Sequence, residues 1–385
     1  MRAHHRNLVW QGVRALATRR LRIYGDLIPY DFERLPLRKI LNAGLVEASV
    51  LYKPLRPWGW PTHLMVEPSA HCNLSCTLCP VTAGLERPQG HMDFRTFKRV
   101  IDEIGEYLFT LLLWDWGEPF TNPAIYEMIA YAGGKGIKTI SSSNGHLFAR
   151  QNHADKVIRA GLDTLIVAVD GLTQETYARY RQGGQLDQAL AGIRTLVARK
   201  RALGVTKPLV NFRFIVMRHN EHEIPTLKEL ARSLGVNAVT LKTFNPCYQD
   251  PYGAKEEAVK REDYLPQDRR YWRFHGDSIA SRVRRKRNPC KQPWDHPAIH
   301  WNGVVCSCTF DPHEQYPLGD LRQQTFRAIW SGAPYRRLRR QFRKDWGQIP
   351  LCGQCTYAFE GGACRNETIA EAIFFPEPLQ PVRHA

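Results

Sequence analysis

The sequence predicts an α/β protein: a partial, TIM-like (β/α)6 barrel, preceded by a helical extension and followed by a small cysteine-bearing module. Three observations carry this. Six short apolar runs alternate with five helix-like segments between residues 61 and 250, which implies parallel crossover units with too few strands to close a full barrel. The 385 residues leave material on both sides of that alternation. Cysteines gather directly after the first run and again from residue 290 onward, which sets the C-terminal part apart.

The extension, residues 1–60, holds two amphipathic helices, Arg6–Tyr24 and Leu37–Tyr52. The first sets Leu8, Val9, Val13, Leu16 and Ala17 against Arg6, Arg14, Arg19 and Arg20, a pattern suited to an anionic membrane surface or a partner protein. Both helices are expected to pack over the open side of the barrel. The barrel, residues 61–250, takes its strands from His63–Glu67, Thr110–Trp116, Ile137–Ser143, Thr164–Asp170, Leu209–Met217 and Ala238–Phe244. Its helices come from Phe94–Tyr107, Pro123–Gly133, Ala154–Gly161, Gln185–Leu203 and His222–Leu234. Chemistry is expected at the carboxyl ends of the strands, where loops vary without disturbing the packed interior.

Alternation along the fifth strand puts Asn211 and Arg213 on one face, and along the sixth Thr240, Lys242 and Phe244. A polar residue facing a barrel interior needs a partner, and a substrate or cofactor can be that partner. Arg213 and Lys242 are therefore candidates for substrate contact, joined by Asp115 and Cys247 near strand ends. Residues 251–289 read as a basic, Pro-interrupted connector, 290–365 as the module and 366–385 as a tail, irregular from Phe375. No internal repeat is found.

The composition is that of an ordinary globular protein, 43% hydrophobic and 24% charged, which excludes disordered and collagen-like classes. No apolar run approaches the ~18 residues of a membrane span, and no export signal is evident, so a cytoplasmic protein with reduced thiols is expected. The net charge of +17 is uneven. Residues 61–254 carry 21 basic and 18 acidic side chains, whereas 1–60 carry 11 and 4, 255–290 carry 11 and 6, and 322–345 carry 8 and 1. Clustered Lys and Arg neutralise phosphates, but no recognisable nucleic-acid-binding motif accompanies them. The densest run, Arg282 to Arg287, lies in the connector. Nucleic acid is thus not expected as a partner, and a solvated or cluster-facing basic surface is.

Cys72, Cys76 and Cys79 stand in His71-Cys72-Asn73-Leu74-Ser75-Cys76-Thr77-Leu78-Cys79-Pro80. Three thiolates this close can wrap one metal centre, but a structural zinc or a closed [4Fe-4S] cube takes four ligands. A three-cysteine loop leaves one iron of a cube open. A zinc site completed by His71 or a distant residue, or simply reactive thiols, would use the same residues. The second group comprises Cys290, Cys306, Cys308, Cys352 and Cys355, enough for one four-thiolate site or a zinc ribbon. On a strand Cys306 and Cys308 point to the same face, so side-chain direction does not choose between them.

The C-x3-C-x2-C spacing resembles the signature of the radical S-adenosylmethionine (radical SAM) superfamily. The resemblance implies that Cys72, Cys76 and Cys79 hold a [4Fe-4S] cluster whose open iron is chelated by the amino and carboxylate groups of S-adenosyl-L-methionine (SAM). An electron, supplied by a reductant such as flavodoxin or ferredoxin, would then cleave SAM to a 5'-deoxyadenosyl radical. It implies the same partial barrel, with the cluster loop after the first strand. Trp116-Gly117-Glu118-Pro119 resembles the family's GGEP motif, with Trp116 in place of the first glycine. Ser143-Asn144-Gly145 is similar to its polar-Asn-Gly turn, and Val169-Asp170-Gly171 to its S-I-D-G segment, with Ala168 in the serine position. Arg181 sits where relatives place an arginine facing the SAM carboxylate. The resemblance thus implies Gly117, Glu118, Pro119, Asn144, Asp170 and Arg181 as cofactor-binding residues; turn and cap roles suit the same residue types.

Cys290 to Cys355, with Pro293-Trp294, Trp301-Asn302-Gly303-Val304-Val305, Asp311, Leu318-Gly319-Asp320 and Ala328-Ile329-Trp330, resembles the SPASM or twitch auxiliary-cluster module. The family's G-x4-C spacing from Gly303 selects Cys308 over Cys306. It implies a second, auxiliary [4Fe-4S] cluster on Cys290, Cys308, Cys352 and Cys355, with Cys364 left over. The function implied is hydrogen-atom abstraction by an oxygen-sensitive enzyme, in an oxidation or other radical-mediated modification. Cys247 can donate a hydrogen atom to a substrate radical, ligate a cluster, or fill a buried gap. With no peptide-recognition domain evident, a small molecule, sugar or lipid-linked intermediate is expected as substrate. Enzymes of sulfatase-maturation or ribosomal-peptide type are the alternative, and a zinc or iron–sulfur regulator that binds nucleic acid is a further one.

Overall fold

In the computed structural model, which describes residues 12–245, 261–362 other than 274, 277, 279, 280 and 282, and 368–375, the extension departs from expectation. Residues 12–18 are helical. The chain then forms a hairpin, β1 (Leu21–Gly25) and β2 (Ile28–Phe32), where the sequence reading runs the helix on to Tyr24. Period-two alternation wins here: Ile28, Tyr30 and Phe32 are buried while Pro29 and Asp31 are exposed. Asp26 and Leu27, both at positive φ, make the two-residue turn whose twist suits paired strands. The second expected helix is present as α1 (Leu37–Tyr52).

Six strands follow in parallel and in chain order: β3 (His63–Val66), β4 (Thr110–Leu113), β5 (Lys138–Ser143), β6 (Thr164–Ala168), β7 (Leu209–Val216) and β8 (Ala238–Thr243). Their crossovers are α2 (Phe94–Ile104), α3 (Ile125–Gly134), α4 (Gln151–Ala160), α5 (Leu186–Leu203) and α6 (Ile224–Leu234). This is the predicted partial barrel, each element within a few residues of its expected bounds.

Alternation sorts the strand side chains onto two faces. Leu64, Val66, Leu111, Leu113, Leu165 and Val167 pack under the helices. Met65, Leu112, Trp114, Ile140 and Ile166 face the lumen, where they pack against Ile28, Tyr30 and Phe32. The hairpin therefore enters the barrel, and Ala15 of the first helical segment and Ile40 of α1 join the same apolar cluster. The hairpin's Tyr30 hydroxyl donates to Thr164 Oγ1 at 3.2 Å, and Asp26 at its tip pairs with Arg213 at 2.6 Å. α1 lies outside, against the short helix Gln292–Asp295.

Neither edge of the incomplete barrel is left bare. At the β3 edge the C-terminal module adds β9 (Ala298–Ile299), β10 (Val304–Cys306) and β11 (Gly319–Asp320). At the β8 edge β12 (Ile369–Phe374) pairs antiparallel. The reading of 366–385 as a tail is corrected to this extent: the alternating Ile369-Ala370-Glu371-Ala372-Ile373-Phe374 pairs with β8 and covers ladder groups that would otherwise invite another strand.

Much of the excess positive charge is structural. Arg339, on α7 (Ala333–Asp345), is wholly buried; its Nε donates to the Pro293 carbonyl at 2.8 Å and its guanidinium stacks on Tyr335 and Trp330. In the connector Arg284 donates to the Gly353 carbonyl at 2.7 Å, and Arg285 to those of Phe359 and Gly362 at 2.7 and 3.1 Å. These two arginines brace the Cys352–Cys355 region. No described helix is long and apolar enough to cross a membrane.

Candidate active site

The loop after β3 is anchored to the segment after β6. The Ser75 and Thr77 N–H groups donate to the carbonyls of Gln182 and Tyr180 at 2.9 and 2.8 Å. Leu78 takes a left-handed turn, φ +62°, and Cys79 caps the short helix Pro80–Ala83. Cys72, Cys76 and Cys79 thereby line one cavity of about 220 Å³ at the carboxyl ends of the strands. Every described cysteine is a free thiol.

These thiols fit an iron–sulfur cluster. Burial pushes Cys72 up to about 12 and Cys79 up to about 11, so both stay protonated at neutral pH unless a bound cation takes the proton's place. Among the described residues, only His63, Asp295 and His296 make a group of three or more His, Cys, Asp or Glu with ligand atoms within 4.8 Å of one another. A tetrahedral zinc with Zn–S bonds of about 2.3 Å holds its sulfurs less than ~4 Å apart. At least one pair of the three sulfurs therefore lies more than 4.8 Å apart, wider than one such ion spans.

Gly117 can only be glycine: φ is +87°, and a Cβ would lie 2.5 Å from the Ser69 carbonyl oxygen and 2.8 Å from that of His71. Trp116 lines the cavity and its indole N–H donates to the Thr309 carbonyl at 3.2 Å, so the residue in the first-glycine position reaches the C-terminal module. Glu118 lines the cavity, accepting the Asn144 N–H at 2.8 Å and the Phe120 N–H at 3.4 Å. Burial raises its carboxyl to about 7. Asn144 also lines the cavity, and its amide donates to Asn73 in the cysteine loop at 2.8 Å.

Arg181 projects between Asp170, at 2.6 Å, and Cys76 Sγ, 3.7 Å from Nη1. Asp170 itself is fully buried and accepts the Ile215 N–H at 2.7 Å. Unlike the other four predicted cofactor residues, Asp170 and Pro119 do not line the cavity; Asp170 addresses Arg181 from behind the wall.

Asp115, Arg213 and Lys242 all line the cavity. Cys247 lies outside the described residues, as does Cys364. Arg213 is already paired with Asp26, a partner brought from a hairpin that the sequence reading did not contain. Tyr180, Phe244 and Arg273 also line the cavity and were not predicted as site residues. Arg273 donates to the Thr243 carbonyl at 3.1 and 2.9 Å. It comes from the connector, where no periodicity marks a residue as inward.

A buried polar seam joins the cavity to the module. Thr309 donates its hydroxyl to Asp115, and His300 sits 3.8 Å from the same carboxylate. His300 bonds Glu314 at 2.9 Å, and Arg87 pairs with Glu67 at 2.6 Å and lies 3.6 Å from Glu314. Thr309 follows Cys308, so Asp115 is two residues' reach from the second thiol group.

In that group, burial drives the Cys308 thiol pKa well upward, and its neighbours Cys352 and Cys355 add to the shift. Cys306 is fully buried at the end of β10, with Asp311 and Glu314 as its nearest acidic neighbours. The strand stops at Cys306, so the same-face relation does not extend to Cys308. The Cys290 N–H donates to the Asn288 side chain at 2.9 Å, and its thiol lies near Lys53.

A three-thiol loop on the rim of an incompletely closed barrel, with a second thiol group docked beside it, defines the class: an iron–sulfur enzyme of the open-barrel type. Residues 66–231 match the radical SAM superfamily, and residues 290–356 match SPASM, an iron–sulfur cluster-binding domain. An AdoMet-dependent heme synthase from Oleidesulfovibrio alaskensis is 30% identical over 81% of this chain and 85% of its own length. One from Methanosarcina barkeri is 26% identical over 80% and 93%. Streptococcus suis SuiB, solved bound to S-adenosylmethionine and to the precursor peptide SuiA, superposes with a TM-score of 0.56 in each case. Identity to it is 15% and 13%, covering 84% of this chain and 77% and 76% of SuiB, a likeness of fold. The chain belongs to the radical SAM superfamily and carries a SPASM domain. It is an enzyme whose cofactors are a [4Fe-4S] cluster with SAM and auxiliary iron–sulfur chemistry in the SPASM domain.

Proposed function

We propose that this enzyme abstracts a hydrogen atom from a small anionic molecule and oxidises or otherwise modifies it. The observation that carries this is the cavity lining: Lys242 and Arg273 share the wall with the thiol loop, as does Arg213, whose charge is already met by Asp26 at 2.6 Å. Positive side chains of this kind recognise carboxylates or phosphates, as on a sugar acid or a lipid-linked phosphate. The peptide reading draws support from the fold likeness to SuiB, but the described part of the extension here places its hairpin in the barrel lumen.

Bound SAM and its cluster supply a 5'-deoxyadenosyl radical, generated with an electron from a flavodoxin- or ferredoxin-type reductant. The protein's part is to hold and orient. Cys72, Cys76 and Cys79 are assigned to the SAM cluster, and Cys290, Cys308, Cys352 and Cys355 to the auxiliary cluster. Gly117 lets the backbone approach the SAM amino group, Glu118 accepts a hydrogen bond from it, Asn144 orients Glu118, and Arg181 takes the SAM carboxylate. Asp115 and the three cations face the substrate.

Glu118→Gln removes a charge-assisted hydrogen bond worth ~1.5–3 kcal/mol, so SAM binding is expected to weaken by about 10- to 150-fold in equilibrium titration of the cluster-loaded protein. The wild-type pH profile follows from the same group. A carboxyl raised to about 7 accepts a charge-assisted hydrogen bond from the amino group only when ionised, so SAM affinity is full above that pH and falls as pH drops through it. A flat profile between pH 6 and 8 would count against Glu118. In the module, Cys308→Ala should lose the auxiliary iron and keep the SAM-cluster iron, whereas Cys306→Ala should keep both. The reverse result reassigns the ligand.

The reading is tested by adding carboxylate- and phosphate-bearing small molecules to anaerobic, cluster-loaded enzyme. A substrate should raise 5'-deoxyadenosine formation, and deuterium at its reacting carbon should pass into that product. Stimulation by peptides alone would overturn it.

A further inference from the structure

We propose that His63, Asp295 and His296 form a separate mononuclear site for a divalent transition ion, of the Zn2+ or Fe2+ kind, at the amino end of the barrel. His63 opens β3, while Asp295 and His296 end the short helix at the start of the module, so the site straddles the seam between the two. The thiol loop lies past the opposite end of β3.

The ligand atoms of the three lie within 4.8 Å of one another, and the two imidazoles stack with centroids 4.4 Å apart and planes 16° from parallel. Each group is held by a neighbour, as metal ligands commonly are. Asp295 Oδ1 accepts the Thr62 N–H at 3.0 Å and the Thr62 hydroxyl at 2.7 Å, leaving Oδ2, which lies 3.0 Å from His296 Nδ1. His63 Nδ1 bonds Thr110 Oγ1, and in the tautomer with Nδ1–H donating to that hydroxyl oxygen Nε2 is the ligand atom.

Without an ion this arrangement is costly. Two half-buried imidazoles stack beside one carboxylate, and His296 Nδ1 is buried with no hydrogen bond of good geometry. Burial lowers His63 to about 3, so its imidazole is neutral at pH 7 with a lone pair to give. Two neutral imidazoles and a carboxylate are the donor set that zinc and ferrous ions take with positions left open. A cavity of about 130 Å³ adjoins, lined by His63, His296, Thr110, Lys291, Gln292 and Tyr357. It has room for water or a small anion to complete the coordination, with Lys291 placed to balance the anion's charge. A metal here would cross-link barrel and module.

The test uses cluster-loaded protein dialysed anaerobically against micromolar zinc and desalted. One zinc per chain should remain, and absorption at the zinc edge should show only nitrogen and oxygen at about 2.0–2.1 Å. His63→Asn and His296→Asn should each weaken zinc binding at least ~10-fold while keeping the wild-type iron content. Because a variant can misfold, the wild-type spectrum decides independently. A sulfur shell near ~2.3 Å, no retained zinc, or undiminished zinc in variants with full iron overturns the proposal.

Discussion

Cys76→Ala is expected to abolish SAM cleavage and to leave the protein with about half of its iron. The loop has three thiols and no fourth, so removing one leaves two ligands for a cube, too few to hold it. Cys76 is also the thiol that Arg181 reaches, at 3.7 Å, so its loss removes the contact linking the cluster loop to the proposed SAM carboxylate site. The fold should survive: the loop's backbone bonds run through Ser75 and Thr77, and the auxiliary thiols stand on other elements. Iron analysis and chromatography of 5'-deoxyadenosine after anaerobic reduction check this together. Cleavage at more than a trace would mean that Cys76 is not a ligand.

Asp170→Ala is expected to cost ~3–5 kcal/mol of stability in denaturant unfolding and to weaken SAM binding in the same protein. Asp170 is fully buried, pairs with Arg181 at 2.6 Å and accepts the Ile215 N–H at 2.7 Å. Its removal leaves a largely buried guanidinium without its counter-charge and a strand-end N–H without its acceptor. Asp170→Asn keeps an acceptor for Ile215 and should fall between wild type and alanine. A loss under ~1 kcal/mol for alanine would show that water or another group replaces the carboxylate. The effect on SAM binding reaches the cofactor through Arg181, so Asp170 is a positioning residue.

The barrel was legible because its strands are short apolar runs separated by long amphipathic helices, a pattern with one economical packing. Leu209–Val216 illustrates it: Val210, Phe212 and Phe214 pack outward, and Asn211 and Arg213 turn inward, as alternation predicts. The hairpin was missed because the helix-period residues Val13, Leu16 and Ala17 run into Leu21 and Ile23, and only a partner decides which period governs. That partner is the lumen, and with it came Asp26, the residue that pairs with Arg213. Cysteine spacing pointed to the first thiol group because Cys72, Cys76 and Cys79 lie within one short loop, and all three line the cavity. Arg273 was invisible because its place in the cavity depends on how a connector folds back across the β8 end, which no local pattern encodes. The charge of +17 likewise resolves in part into buried structural arginines such as Arg339 and into bracing of the Cys352–Cys355 loop.

Two thiol groups holding two clusters, one of which reductively cleaves SAM, can be measured together by anaerobic reconstitution of the full chain, followed by iron and zinc analysis and reduction in the presence of SAM. About eight irons per chain, no zinc at the cysteines, and release of 5'-deoxyadenosine on reduction are expected. Zinc in place of iron at the cysteines, or fully reconstituted protein that leaves SAM intact, would contradict this.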